Sequence, residues 1–201
     1  MFTNDYPREI QEHIRSLTAH YTFDFEHNKI SLAAIEAYMA EHSDPSLDGF
    51  VHFIHAKLAL MHQRDIKAYR EHLLQAIALL QNEDDADILA SCYNLIGVEC
   101  LEYCNYDLAV SHFLTALRVL EPLHADPMAA VVSSNLGMLY AAIGDFHTAL
   151  SYTQKMLHMV EQLSPAARDC DVYLAGICLN GWYALEVQDM SAARSSYDKL
   201  W

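Results

Sequence analysis

Histidine and cysteine are the residues whose types and spacing come nearest to a reactive or metal-binding site. The chain of 201 residues contains 12 His and five Cys. His52, His55 and His62 recur at helical spacing, and such a set can hold Zn²⁺ when cysteines or carboxylates complete the coordination. The sequence has no HExxH and no CxxC motif. We therefore expect packed or solvated histidines, and we predict no metal site and no cofactor.

The cysteines form a second group, with Cys100 and Cys104 one helical turn apart and Cys92 two turns before Cys100. Cys100 shares a position in the repeat described below with Leu60 and Tyr140, which we expect to be core residues. The cysteines are then small buried hydrophobes, and a metal- or redox-sensing role is the alternative. An odd number of cysteines and a polar N-terminus without a secretory signal favour the cytoplasm over a disulfide framework.

Acidic and glycine-rich motifs give no indication of catalysis. The densest acidic run, residues 83–87, has no glycine and no later glutamate at calcium-loop spacing, so we expect a solvated loop that caps the next helix. The sequence contains no nucleophile elbow, no phosphate loop and no Gly-rich nucleotide fingerprint. The chain is therefore not expected to be an enzyme.

Composition and charge exclude other classes of function. The 12 Lys and Arg against 27 Asp and Glu give a formal charge of -15. This balance argues against nucleic acid, which requires a basic face, and against an anionic membrane surface as partner. The apolar stretches are far shorter than the ~20 residues of a membrane span. With 53% hydrophobic residues and few Gly and Pro, the chain is expected to form a helical core.

An internal repeat organises most of the chain. Residue types that cap helix N-termini recur at a constant interval at Asp65, Asn105 and Asp145, and again at Asp189 after a slightly longer one. Apolar residues at three- and four-residue steps predict two helices in each copy. The clearest pair covers residues 129–142 and 146–162, joined by the turn Gly144-Asp145. Other positions recur in the same phase, namely Leu73, Phe113 and Thr153, then Ala76, Ala116 and Met156, then Leu80, Leu120 and Val160.

Small residues also recur at fixed positions of the copies. Glycine occupies the middle of three first helices, where it costs about 1 kcal/mol relative to alanine, and alanine follows at one constant interval on each second helix. We expect the glycines to let the two helices cross at short distance against the alanines. The pairs are Gly97 with Ala109, Gly137 with Ala149, and Gly181 with Ala193.

Together these residues resemble the consensus of the tetratricopeptide repeat (TPR) family. Two copies carry the resemblance best, in Tyr93, Ile96, Gly97, Cys100, Tyr106, Ala109, Phe113 and Ala116, and in Leu136, Gly137, Tyr140, Gly144, Asp145, Phe146, Ala149 and Met156. Lys57 and Tyr69 in the first copy and Asn180 in the fourth depart from it. The period of about 40 residues exceeds the ~34 residues of the common repeat and is similar to the long-helix variety of bacterial signalling proteins. The resemblance implies an all-α fold, a right-handed α–α superhelix of helical hairpins.

The resemblance covers residues 50–201 as an array of about four repeats. Residues 1–49 are expected to form a degenerate hairpin that covers its N-terminal end, with one helix after Pro7 and a second capped by Asn28, ending before a turn-rich stretch at 44–49. The chain ends on an uncapped bulky aromatic, Trp201, so we expect a truncated last repeat and a fragment of a longer protein. The alternative is a natural end that docks Trp201 into the core.

The resemblance also implies a ligand groove lined by the first helix of each hairpin. We place there Asn94, Val98, Leu101, Ser134, Met138, Ala141, Cys178 and Trp182, together with Ile54, Leu58, Met61 and Leu185. Asn94 and Ser134 are polar handles that could pair with a peptide backbone. The set has no Lys or Arg, so the family's carboxylate clamp is not supported, and an amphipathic helix or apolar extended segment fits better. Alternatively, these residues pack against a following domain or a second copy of the chain.

Three hypotheses of function follow. The first is a protein- or peptide-binding module, which by resemblance is the N-terminal regulatory or sensor part of a larger cytoplasmic bacterial signalling protein such as a diguanylate cyclase. Its partner would be a peptide, a helix or its own downstream domain. The second is a structural homodimerisation scaffold that uses the final face around Tyr197, Leu200 and Trp201. The third is a metal- or redox-sensing protein that uses the His and Cys sets.

Overall fold

The computed structural model describes residues 6–19, 25–80, 85–123, 127–163 and 170–200. Within these ranges the chain forms helices and their connections, and no strand. The chain divides into two compact units, Met1–Cys92 (unit 1) and Tyr93–Trp201 (unit 2). The helices are α1 (Arg8–Ala19), α2 (Phe25–Met39), α3 (Pro45–Leu58), a π-helix (Ala59–Gln63), α4 (Ile66–Leu80), α5 (Ala86–Glu102), α6 (Tyr106–Leu120), α7 (Pro127–Ala142), α8 (Phe146–Gln162), α9 (Cys170–Glu186) and α10 (Met190–Asp198).

Unit 2 is a row of helical hairpins. Each helix from α6 to α10 packs on the next one along the chain, and α7 also contacts α9. The predicted two-helix copy is confirmed, since α8 has the predicted bounds and α7 ends as predicted but begins two residues earlier, with Pro127 in its first turn. The all-α prediction is confirmed as well.

Two predictions for the N-terminal region are wrong. Asn28 lies inside α2 and does not cap it, because that helix begins at Phe25. The stretch 44–49 is the start of α3 and not a connecting turn. The Oδ1 of Asp44 accepts the backbone N–H groups of Ser46 and Leu47 at 3.0 and 3.2 Å, and Pro45 needs no such partner. The predicted boundary at 49/50 therefore falls within α3, and the division of the chain at that point stays a prediction.

Three hairpin turns of unit 2 share one backbone geometry. The residue before each cap position is left-handed, with φ of 58° at Cys104, 83° at Gly144 and 60° at Gln188. The next backbone N–H then donates to a carbonyl five residues earlier, at 2.8 to 2.9 Å in all three turns. This closure satisfies carbonyls that the helix end leaves free. Only one of the three positions is glycine, so the turn is held mainly by its hydrogen bonds.

The predicted capping residues behave alike at three of the four positions. The side chains of Asp65, Asp145 and Asp189 each accept the backbone N–H three residues later, at 2.9 to 3.0 Å. Asn105 makes no such bond, so the prediction is wrong there. The hydroxyl of Thr148 also donates to Asp145 at 2.7 Å, and the two bonds lower the pKa of Asp145, the backbone one most.

The repeated apolar positions of the second helices form the core. The three in-phase sets predicted from the sequence are all buried. They are Leu73, Phe113 and Thr153, then Ala76, Ala116 and Met156, then Leu80, Leu120 and Val160. By contrast, the expectation of a core at Leu60, Cys100 and Tyr140 is wrong for Leu60 and is met only in part at Tyr140, which packs against the buried cluster that contains Ala149 and Tyr183. Leu60 is exposed and the other two are half-buried. These positions lie near the end of the first helix, where the chain turns away, and Tyr140 stacks on Tyr152 with ring centroids 5.5 Å apart.

The recurring glycines do mark close helix approach, although their contacts differ from those expected. A Cβ at Gly97 would lie 2.6 Å from the ring of Phe113, and one at Gly137 would lie 3.0 Å from Cγ2 of Thr153. Each of these partners lies one helical turn beyond the expected alanine. Side chains on a helix lean towards its N-terminus, so the residue one turn later covers the glycine. At Gly137 the expected alanine also contributes, through the backbone oxygen of Ala149 at 3.3 Å.

Gly97→Ala is predicted to destabilise unit 2. The added methyl overlaps the buried ring of Phe113, and overpacking of about 1–3 kcal/mol outweighs the ~1 kcal/mol gain in helix propensity. Urea denaturation followed by circular dichroism measures the change. In a Phe113→Leu background the same substitution should cost much less, because the ring is gone. An equal loss in both backgrounds would contradict the proposed contact.

Asp145→Ala is predicted to lower the free energy of unfolding more than Asn105→Ala does. The two residues hold the same position of the repeat, but only the side chain of Asp145 accepts a backbone N–H at its helix start. Because the pKa of Asp145 is lowered in the folded state, the stability it adds is lost as pH falls through that pKa. Denaturation midpoints of both variants at neutral and acidic pH test this. The difference between the denaturation midpoints of the two variants should be smaller at acidic pH than at neutral pH.

Candidate functional site

The accessible side chains of the first helices in unit 2 form an apolar stripe. On α7 and α9 they recur at steps of three and four residues, and the two sets match position by position along the two helices. The helices contact one another and run in the same direction, since α8 returns between them. We call this surface the first-helix stripe. It consists of Val98 and Leu101 on α5, Val131, Ser134, Met138 and Ala141 on α7, and Ala175, Cys178, Trp182 and Leu185 on α9.

Most of the predicted groove residues of unit 2 lie on this stripe. Met138, Cys178 and Trp182 are exposed, whereas Val98, Leu101, Ser134 and Ala141 are half-buried. Val131 and Ala175 were missed, although the same three- and four-residue steps include them. In unit 1, Ile54 and Leu58 are buried and Met61 is exposed.

Asn94 lies inside the molecule. Its side chain is only 7% exposed, and its Oδ1 accepts a hydrogen bond from Nδ2 of Asn135 at 2.7 Å. The bond joins α5 to α7, and it pairs a buried acceptor of Asn94 with a buried donor of Asn135. Pairing of Asn94 with a peptide backbone would require this bond to open. Sequence reasoning missed Asn135, since a polar residue on a buried helix face has no periodic signal.

Trp182 is the largest side chain on the stripe, and neighbouring rings and a hydrogen bond hold its indole in place. Its ring centroid lies 6.1 Å from that of Phe146 in an edge-on arrangement and 5.1 Å from that of Tyr183. Its Nε1–H donates to Oε1 of Glu186 at 3.0 Å. The indole is still 47% exposed. A ring that is fixed on one side and open on the other is the kind of anchor that dominates protein interfaces.

The histidines of unit 1 form a cluster of different composition from the predicted one. His52 and His72 approach with their Nδ1 atoms 2.9 Å apart, and His55 stacks on His72 with centroids 5.0 Å apart. Carboxylates border the cluster, with Glu36 2.8 Å from Nε2 of His55 and Asp48 3.8 Å from Nε2 of His52. The side chain of His62 lies outside the described residues. Sequence spacing missed His72 because α4 brings it in from a distant position.

This cluster favours neutral imidazoles. Burial lowers the pKa of both His52 and His72, and each is lowered further by neighbouring histidines, while Asp48 and Glu71 act in the opposite direction. Two Nδ1 atoms can share a bond only while one of them lacks a proton. In the part of the chain that the structure describes, no group of three or more His, Cys, Asp or Glu side chains could hold a metal ion.

The cysteines differ in burial more than expected. Cys92 is buried, as predicted, and burial raises the pKa of its thiol to about 12. Cys100 is half-buried and Cys104 is exposed, so the prediction of a buried cysteine is wrong for Cys104. Cys178, which the sequence analysis places in the groove, is exposed as well. The reason at Cys104 is its place in the left-handed hairpin turn, and at Cys178 its place on the stripe.

The described helices are also informative about membranes. None of them combines the length and apolar character needed to cross a bilayer.

Comparison with solved structures gives the fold. The chain resembles BtubC (BKLC) from P. vanneervenii, with a TM-score of 0.69, 17% identity and coverage of 96% of this chain and 88% of that one. It also resembles PilF from Pseudomonas aeruginosa, with a TM-score of 0.65, 20% identity and coverage of 94% of this chain and 72% of that one. A third similar structure is that of a Podosopora anserina putative kinesin light chain with nearly identical TPR-like repeats, with a TM-score of 0.59, 11% identity and coverage of 95% of this chain and 90% of that one. No protein-family model and no curated protein matches the chain. At these identities the likeness shows the fold alone, and it confirms a TPR-like all-α helical repeat.

Unit 1 is predicted to lose stability as pH falls below about 6.5. The unfolded chain binds protons at the ordinary histidine pKa of 6.5, whereas the folded pKa values of His52 and His72 are lower, so acid favours the unfolded state. Urea denaturation at a series of pH values measures this. His72→Asn, which can keep a hydrogen bond without titrating, should flatten the pH dependence. His158→Gln, at an exposed position of α8, is the matched control and should leave it unchanged.

Proposed function

We propose that this chain is a non-enzymatic module that binds a protein or peptide along the first-helix stripe. The observation that carries the proposal is the register of the stripe, in which two neighbouring helices present matching rows of accessible apolar side chains. Met138 is 39% exposed and Leu185 41%, in addition to Trp182. Burial of such side chains gives roughly 25 cal/mol per Å² of apolar area, and the aromatic ring supplies an anchor at one end.

The fold supports a binding role over a catalytic one. A row of hairpins presents a continuous surface, and small rotations at each interface change its curvature at low cost. A ligand that prefers one curvature then shifts the population of states. By resemblance to the long-helix TPR variety, we propose that the chain is the N-terminal regulatory or sensor part of a larger bacterial signalling protein, such as a diguanylate cyclase. In that case the partner on the stripe is another protein, a peptide or the downstream domain.

We propose the cytoplasm as the compartment. The exposed thiols of Cys104 and Cys178 keep their reduced form most easily in a reducing compartment, and the total number of cysteines is odd.

A homodimerisation scaffold is the second candidate. The described part of the last hairpin exposes Met190, Tyr197 and Leu200 on or just after α10. Apolar residues gathered on a terminal helix are typical of surfaces that pair with another chain. Trp201, which belongs to the same predicted face, lies outside the described residues.

Selection from a displayed library of random peptides tests the main proposal. Peptides that bind the chain should lose at least about tenfold in affinity on Met138→Glu, because the charge would be buried without a partner in the complex. Leu114→Glu is the matched control, since Leu114 is also 39% exposed but lies on the second helix α6. Selected peptides that tolerate Met138→Glu and not Leu114→Glu would contradict the site. Sedimentation of the same samples tests the alternative, which predicts a dimer that dissociates on Tyr197→Asp.

A further inference from the structure

Charge is segregated between the two kinds of helix in unit 2. The helices α5, α7 and α9, which carry the first-helix stripe, contain no Lys and no Arg. From Tyr93 onwards the described Lys and Arg residues lie on the second helices or just after one, at Arg118, Lys155, Arg194 and Lys199, and Arg168 lies outside the described residues. The stripe itself has no charged side chain. Any charge that a partner meets on the stripe-bearing helices therefore comes from carboxylates.

Two exposed carboxylates recur at the hairpin-turn end of the helices that carry the stripe. Glu102 and Glu186 occupy the same position of the repeat, in the last turn of α5 and α9, and both are exposed. The cap residues Asp145 and Asp189 follow in the neighbouring turns. The C-terminus of a helix already carries partial negative charge, and no basic residue lies in the last turn of α5, α7 or α9. The exposed carboxylates at this end of the stripe therefore have no Lys or Arg counter-charge on the same helices.

Trp182 and Glu186 bring an exposed apolar ring and a carboxylate together at one point of the stripe. The Nε1–H of the indole donates to Oε1 of Glu186, which brings a carboxylate to the edge of an exposed aromatic ring. A Lys or Arg of a partner placed over the ring gains both the cation–π attraction and the carboxylate. An apolar or acidic group at the same place would leave Glu186 desolvated without a cation, which is unfavourable.

The stripe favours a partner that satisfies its own backbone. An extended peptide needs donors and acceptors along its path. Of the two amide or hydroxyl side chains predicted to serve as handles, Asn94 is buried and already bonded to Asn135, and Ser134 is half-buried. A helix makes its backbone hydrogen bonds internally and presents side chains only. The stripe therefore suits a helix better than an extended strand.

A second copy of this chain is a poor occupant. In a two-fold dimer each surface meets itself, and α5, α7 and α9 offer no Lys or Arg at either end to pair with Glu102 and Glu186 of the other copy. The formal charge of -15 adds general repulsion between copies. The charge of the surface thus points to a partner of opposite sign.

On the premise of the proposed function, we propose that the first-helix stripe binds a cationic amphipathic helix of another protein segment. Its aliphatic side chains lie on Met138, Trp182 and Leu185, and its Lys or Arg side chains lie against Glu186, Glu102 and the ends of the first helices. The apolar contacts supply the affinity, and the charges set the orientation and the choice of partner.

Three synthetic peptides of equal length test this proposal. All share one amphipathic pattern of leucines, and the polar face carries Lys in the first peptide, Gln in the second and Glu in the third. Titration calorimetry against the whole chain should give at least about tenfold tighter binding for the Lys peptide than for the Gln peptide, and weakest binding for the Glu peptide. High salt should reduce the difference, because exposed charges are screened beyond about 10 Å at 0.1 M.

Two single substitutions test whether the preference for the Lys peptide depends on Glu186. Glu186→Gln keeps an oxygen acceptor for the indole of Trp182 and removes only the charge, so we expect it to weaken the Lys peptide about threefold or more and to leave the Gln peptide unchanged. Glu121→Gln removes an equal charge from the exposed end of α6, away from the hairpin turns, and should have no effect. Circular dichroism of both variants should match that of the original chain.

The outcomes separate the two proposals. If all three peptides bind alike and lose affinity on Met138→Glu, the stripe binds protein but the cationic preference is overturned. If the Lys peptide weakens equally with both glutamate variants, its binding is a general charge effect and the cationic preference is again overturned. If no peptide responds to Met138→Glu, the stripe itself is not a docking surface, and the proposed function falls with it. Self-association that Met138→Glu reverses would also overturn the cationic partner.

Discussion

The short distance between the two helices of each hairpin is the constraint on which unit 2 depends. Gly97 and Gly137 have no side chain, so Phe113 and Thr153 of the second helix can press against the backbone of the first. The turn keeps this distance, since a left-handed residue and a hydrogen bond spanning five residues fix where the second helix starts. A longer side chain at either glycine would push the helices apart and disturb the next hairpin, because the helices inside the row pack on neighbours at both sides.

This packing also decides which face of each first helix remains accessible. One side of α7 is occupied by α8 and another by α6 and α9, which leaves the row from Val131 to Ala141. The row on α9 is in register with it because the two hairpins close in the same way. The same helix packing therefore determines both which residues form the core and which residues form the first-helix stripe. The same packing supports Trp182, whose ring lies against Phe146 at the start of the second helix of the preceding hairpin.

The hairpin of α3 and α4 in unit 1 closes by other means. Lys57 and Tyr69 stand where glycine and alanine stand in the later copies; Tyr69 is buried, and Nζ of Lys57 lies 5.2 Å from the ring centroid of Phe53. Burial lowers the pKa of Lys57 accordingly. The first helix then widens into a π-helix, and the turn follows with Arg64 in the left-handed conformation. The close approach moves to Gly49, which faces Leu80 near the far end of the hairpin.

Local rules of the amino-acid sequence were enough to predict the hairpin repeat, the bounds of α8, the caps at Asp145 and Asp189 and the buried positions of the second helices. Each of these follows from a periodicity or from a side chain bonding to its own backbone, so neighbouring residues suffice. The contacts that join distant segments were set by the packing of the folded helices. This packing buried Asn94 against Asn135, brought His72 to His52 and set Trp182 beside Glu186 with its ring against Phe146. Such contacts depend on how far each helix is rotated about its axis and on how closely it packs against its neighbours. The repeat pattern does not fix that rotation to within the width of a side chain.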